Sequence, residues 1–106
     1  MKVLLDECLP VDFRHSFLEH ETHTVVWAGL KGKKNGEFLR EADAAGYDVL
    51  VTIDQAIPRQ QRDPGRRLSI LVLRAATNQL EDLVPLAAPI KRALERIGHG
   101  EIVMVG

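Results

Sequence analysis

One cysteine in 106 residues, Cys8, excludes a disulfide within the chain and a zinc site built on several thiolates. It suits a reducing cytoplasm. No apolar run approaches the ~18 residues of a membrane span, so no membrane partner is expected. The opening MKVLLDECLP has one lysine and a short apolar stretch, but carboxylates follow at once, as in a strand and not a leader. Neither sign of charge dominates. Fourteen Lys and Arg against fifteen Asp and Glu give a net charge of −1, which excludes a uniformly basic coat for nucleic acid. Phosphate-binding glycine motifs, nucleophile elbows and dinucleotide fingerprints are absent as well. A chain of this length supports one core but not two domains around a hinged cleft. A single domain over residues 1–106 is therefore expected, with any site at an edge of its sheet.

What is present alternates strand and helix. Val3-Leu4-Leu5 is a continuous apolar run ended by Asp6-Glu7, the pattern of a strand buried on both faces. Pro10 suits a first helical position, and Leu9, Phe13 and Phe17 then recur every four residues. Thr22–Trp27 is rich in β-branched residues and predicts a second strand. Gly29–Gly36 reads as a loop with three glycines and three lysines. Asn35 is suited to cap a helix that buries Phe38, Leu39, Ala42 and Ala45 and ends at Gly46. Asp48–Ile53 and Leu68–Leu73 predict two more buried strands, separated by a turn-rich segment from Ile57 to Gly65. Asn78 suits the cap of a short helical turn, Pro85–Ile97 a helix with Leu86, Ile90, Leu94 and Ile97 on one face, and Glu101–Val105 a closing strand. Five strands at this spacing predict an α/β fold: a mostly parallel central sheet covered on both faces.

In such a sheet ligands bind beyond the carboxyl ends of the strands. Asp6, Glu7, Asp54 and Arg74 each follow a predicted strand and should converge on one edge, whereas Asp48 precedes its strand and belongs to the opposite edge. Clustered carboxylates repel one another unless a cation neutralises them, and Mg²⁺ or Mn²⁺ is the natural guest. Magnesium takes one or two protein carboxylates and completes its shell with water and phosphate, which directs the expectation to phosphodiester chemistry. The plainer alternative is that Asp6 and Asp54 only cap helices. Glu37, in the first turn of the second helix, suits the helix dipole whether or not it binds a ligand, and Asn35 can be only a cap.

Positive charge is clustered despite the neutral total. Lys31, Lys33 and Lys34 share one loop, and Arg59, Arg62, Arg66, Arg67 and Arg74 fall within sixteen residues, together eight of the fourteen cations. Beside an acidic edge they would hold the phosphates of a polyanion; otherwise they are a solvated basic surface. His20 and His23 lack a nearby third zinc ligand. Cys8 has no histidine placed to act as its base and reads as a packed thiol. Trp27 and Tyr47 are expected in the core or at its rim.

Three segments, LLDECLP, KNGEFLREADAAGYDVLVTIDQAIPRQQ and ILVLRAATNQLEDLVPL, resemble in order a group of short, stand-alone prokaryotic PIN-like proteins. That group is catalogued as a domain of unknown function related to PIN-type toxin ribonucleases. The resemblance covers nearly the whole chain. It implies a three-layer α/β/α PIN-like domain and metal-dependent cleavage of RNA, with many members acting as toxins paired with a small DNA-binding antitoxin. It assigns Asp6 and Asp54 to the acidic positions after the first and third strands, and draws attention to Thr52, Arg74, Gln60 and Gln61. Two positions depart from it. Asn35 stands where an aspartate is usual, with Glu37 as a nearby substitute, and Ala56 stands where a second aspartate is frequent.

The expectation is a Mg²⁺- or Mn²⁺-dependent endoribonuclease. Asp6 and Asp54, with Glu7 as a third donor, hold the cation; Glu37 binds through water or activates the attacking water. Thr52, Arg74, Lys33, Lys34, Arg59, Gln60, Gln61 and Asn35 contact substrate. One metal is easier to justify than two, since few carboxylates remain. The alternative keeps the fold and binds nucleic acid or a protein without cleaving. A receiver-like phosphoacceptor shares the acidic arrangement, but Arg74-Ala75-Ala76 stands where it needs a hydroxyl, and no lysine follows the fifth strand. A homodimer is expected if an edge strand is left open.

Overall fold

The structure is a computed structural model that describes residues 1–57 and 65–106, with Asn35 described in its backbone alone. Arg59, Gln60, Gln61 and Arg62 lie outside the described residues. Five strands, β1 (Lys2–Leu5), β2 (Glu21–Thr24), β3 (Val49–Thr52), β4 (Ser69–Leu73) and β5 (Ile102–Val105), form one sheet in the order β2-β1-β3-β4-β5. Every pairing is parallel, so the sheet is wholly and not just mostly so. Val3, Leu4 and Leu5 of β1 and all of β3 and β4 are buried, which is why these strands read as unbroken apolar runs.

Alternate residues feed two cores, because successive side chains of a strand point to opposite faces. Val3, Leu5, Val49, Val51, Leu71 and Leu73 pack with Phe13, Phe17, Leu83, Ile90 and Leu94 on one face. Leu4, Leu50, Ile70 and Val72 pack with Phe38, Leu39, Ala42 and Tyr47 on the other. The first face is covered by a 3-10 helix (Val11–Phe17), and the second by α1 (Asn35–Ala44). On the first face α2 (Leu80–Leu83) joins α3 (Ala87–Arg96) through a 3-10 turn, Val84–Leu86. The result is the expected α/β/α arrangement of three layers.

Several local expectations shift. Pro10 stands just before the first helix, which is 3-10 in form, and Phe13 and Phe17 meet edge to face at 5.2 Å. β2 stops at Thr24, because the chain turns: Ala28 N–H donates to the Thr24 carbonyl and Trp27 N–H to Thr24 Oγ1. Asn35 is the first residue of α1 and Lys34 its cap position; Ala45 is exposed. Gly46, at φ +88°, ends α1 with the Tyr47 N–H on the Ala42 carbonyl and its own N–H on that of Asp43, the paired bonds that satisfy a helix's last carbonyls. Asn78 does not cap α2; its side-chain amide donates to the Cys8 carbonyl at 3.0 Å. Pro85 belongs to the 3-10 turn, and Leu86 and Ile97 only partly join Ile90 and Leu94 in the core. Asp48 does lie at the amino edge of the sheet, where its carboxylate accepts the Lys2 N–H at 2.7 Å.

Candidate functional site

The strand order decides where a site can form. The chain leaves β1 for β2 on one side and β3 for β4 on the other, so a crevice opens between the carboxyl ends of β1 and β3. Asp6 follows β1 and Asp54 lies two residues beyond β3. A cleft of about 250 Å³ opens there, lined by Asp6, Glu7 and Asp54, by Lys33 and Lys34 from the loop before α1, and by Val25, Phe38, Leu39 and Ile57 beneath them.

Thr52 joins the two aspartates. It is fully buried, its hydroxyl donates to Asp6 Oδ2 at 2.6 Å, and its oxygen accepts the Asp54 N–H at 2.9 Å. Asp6 Oδ1 accepts the Glu7 N–H at 2.9 Å, and Asp54 Oδ1 accepts the Ala56 N–H at 2.9 Å. Each carboxylate therefore brackets its own turn as well as facing the cleft, so the capping role and the cleft role coexist. Asp54 Oδ2 has no hydrogen-bond donor among the described residues, and each Asp6 oxygen keeps lone-pair capacity beyond its donors. The Cys8 thiol is a further donor to Asp6 Oδ2, at 3.5 Å. Burial, followed by the Asp6 charge among the raising influences, pushes that thiol above its ordinary 9.0, so it stays protonated at neutral pH. That state matches a packed thiol that orients a carboxylate, not a nucleophile.

The cleft lysines differ. Lys33 Nζ lies 3.0 Å from Glu41 Oε2 and 3.4 Å from Glu37 Oε1, and these two carboxylates, Glu41 foremost, raise its pKa above the ordinary 10.5. Its charge is thus shared with α1. Lys34 is exposed and has no ion pair among the described residues. Glu37 faces Lys33 and is not among the residues lining the cleft. Arg74 follows β4 at the same edge, exposed and likewise outside the cleft lining. The side chain of Asn35 and residues Arg59, Gln60 and Gln61 are outside what is described.

The donor set sets limits on a metal. No group of three or more His, Cys, Asp or Glu side chains among the described residues is placed to cage an ion. Two aspartates from adjacent strands instead fit one Mg²⁺ or Mn²⁺ that keeps most of its water, the usual habit of magnesium; a pair of ions does not fit this set. The strand-end pattern points to Asp6 and Asp54 and the family resemblance to Thr52, but neither shows that Lys33 is held by Glu41, a contact that depends on how the loop meets α1. The donation from the Cys8 thiol to Asp6 is likewise not legible from their two-residue spacing, because it depends on how the turn after β1 folds back. Searches against family models, curated proteins and solved structures gave no match.

Proposed function

We propose that the protein is a divalent-metal-dependent endoribonuclease of PIN-like type. The observation that supports this most is the cleft at the β1/β3 switch, where Asp6 and Asp54 are tied through one buried hydroxyl beside Lys34, which has no ion pair among the described residues. Asp6 and Asp54 would hold one Mg²⁺ or Mn²⁺, with exposed Glu7 as an outer donor. Such an ion, when bound, neutralises charge on a phosphodiester and makes a water more acidic. The chain's own residues do the rest. Thr52 and Cys8 fix the Asp6 carboxylate so that little reorganisation is needed on binding. Without a cation the two carboxylates repel a phosphate, so metal and substrate bind together. Lys34, and Arg74 further along the edge, meet neighbouring phosphates.

The partners in this proposal are an RNA substrate and, if the protein is a toxin, a small DNA-binding antitoxin. A second copy belongs to it too. β2 is an edge of polar residues, Glu21–Thr24, whereas the other edge, β5, is apolar and shows Ile102 and Met104, 44% and 42% exposed. No helix among the described residues is long and apolar enough to cross a membrane.

One observation favours the non-cleaving alternative: no third acidic side chain joins Asp6 and Asp54 as a metal ligand among the described residues, and Glu37 is engaged by Lys33. Incubating purified protein with labelled, loop-containing RNA in Mg²⁺, Mn²⁺ or EDTA separates the two. Cutting that needs the cation and disappears in both Asp6→Asn and Asp54→Asn supports the nuclease. Equal cutting by wild type and variants, or none by any, refutes it; RNA binding without cutting transfers the function to the binding module.

A further inference from the structure

Trp27 is the chain's one tryptophan, and it is 70% exposed. It sits in the turn after β2, at the carboxyl edge of the sheet that also carries Asp6. Val25, two residues earlier, lines the cleft, so the two Cα atoms lie within about 7.6 Å of each other. The indole is not loose. One face stacks on the His23 ring, with centroids 3.9 Å apart and planes 28° from parallel. His23 is itself fixed by Tyr47, whose hydroxyl lies 2.8 Å from Nδ1, while Glu21 Oε2 lies 3.6 Å from Nε2. The backbone N–H of Trp27 donates to Thr24 Oγ1 at 3.2 Å, which fixes the turn that carries the ring.

A large ring kept at the surface with one face already against a fixed imidazole leaves the opposite face for a planar ligand. The surrounding charge says which kind. Lys31, four residues on in the same loop, is exposed, Lys34 lines the cleft, and neither has an ion pair among the described residues. Aromatic faces beside cations that track a phosphate backbone are how single-stranded nucleic acid is bound; a duplex keeps its base faces stacked and cannot use them.

We propose that Trp27 is a stacking platform for an unpaired base of a single-stranded nucleic acid whose phosphates pass Lys31 and Lys34 toward the Asp6–Asp54 cleft. This rests on the nucleic-acid reading of that cleft, and it adds the substrate's form: unpaired, with little sequence preference. Because Trp27 is the sole tryptophan, its emission reports on its own site.

The test titrates the protein, at low salt with Ca²⁺ in place of Mg²⁺ so that the carboxylates are neutralised while turnover is suppressed, with a ten-nucleotide oligouridylate, an oligoadenylate and an RNA duplex of equal length. It follows indole fluorescence, and the anisotropy of end-labelled RNA for variants. Both single strands should quench Trp27 and the duplex should not. Trp27→Ala should weaken single-strand binding by about 5- to 150-fold, the range of one lost base stack. Trp27→Phe should recover most of it, which guards against a folding defect in the alanine variant. If Trp27→Ala binds as wild type while Lys31→Ala/Lys34→Ala binds weakly, the platform is refuted and the cleft reading stands. Preference for the duplex also refutes it. If no RNA binds wild type or any variant, the nucleic-acid reading of the cleft falls with it.

Discussion

Replacing Thr52 by valine keeps the shape of a fully buried side chain and deletes the one hydroxyl that touches both aspartates. Two hydrogen bonds disappear. The bond to the ionised Asp6 carboxylate is of the kind that contributes about 1.5–3 kcal/mol, and the one from the Asp54 N–H about 1 kcal/mol. Asp6 is only half-buried and retains the Cys8 donor, so water and the thiol recover part of the loss. A net destabilisation of about 2–3 kcal/mol is expected, a fall in Tm of about 10–20 °C for a chain of this size. Thr52→Ser keeps the hydroxyl and loses one methyl, so it should cost about 1 kcal/mol. Urea melts of wild type, Thr52→Val, Asp6→Ala and the double variant give the coupling between the two side chains, expected to reach about 1.5 kcal/mol. A Thr52→Val penalty below about 0.5 kcal/mol, or additive single variants, would refute the claim that this hydroxyl organises the site.

Three further outcomes follow from the same geometry. The Cys8 thiol has its pKa raised by burial, so the folded state holds that proton more tightly than the unfolded one. The associated stability is complete below the ordinary 9.0 and is lost as pH rises through the higher folded value, so denaturation midpoints should drop as pH rises above 9.0 in wild type, and less in Cys8→Ala. An equal drop in both would count against it. Glu37→Gln should reduce RNA cleavage by less than about tenfold, against at least about a hundredfold for Asp6→Asn, because Glu37 faces Lys33 outside the cleft; equal losses in initial rate would return Glu37 to the chemistry. Gly46→Ala should cost about 1–2 kcal/mol in a thermal melt, since φ is +88° and the strain is backbone, with only Lys2 Nζ near the new methyl at 3.8 Å; a neutral result would mean that α1 can end another way.

The strands were legible because parallel sheets bury both faces: Val3-Leu4-Leu5 and the SILVL of β4 have no other use for such runs. Their order was not, since hydrophobic periodicity says which residues face a core and nothing about which strands are neighbours. The expected second strand overruns β2 because Val25 and Val26 carry strand propensity, while the stop comes from Thr24, whose hydroxyl and carbonyl both gather turn N–H groups. Asn35 and Asn78 illustrate the reverse error. Cap-forming residue types stood near helix starts, but Lys34 and Gln79 occupy the cap positions without side-chain bonds. At the site, Asp6 and Asp54 are legible as acids closing apolar strands, whereas Thr52 comes into view only through the family resemblance. The exposure of Trp27 is not legible, because it depends on a turn folding the indole back onto His23.

The central claim is that Asp6 and Asp54 form one cation site at the β1/β3 switch. Electron paramagnetic resonance of Mn²⁺ titrated into wild type, Asp6→Asn and Asp54→Asn tests it without requiring turnover. The account predicts one bound Mn²⁺ per chain in wild type, displaced by excess Mg²⁺, with affinity reduced at least about tenfold in each variant. Binding of equal strength in all three proteins, or none in wild type with RNA present, would contradict it.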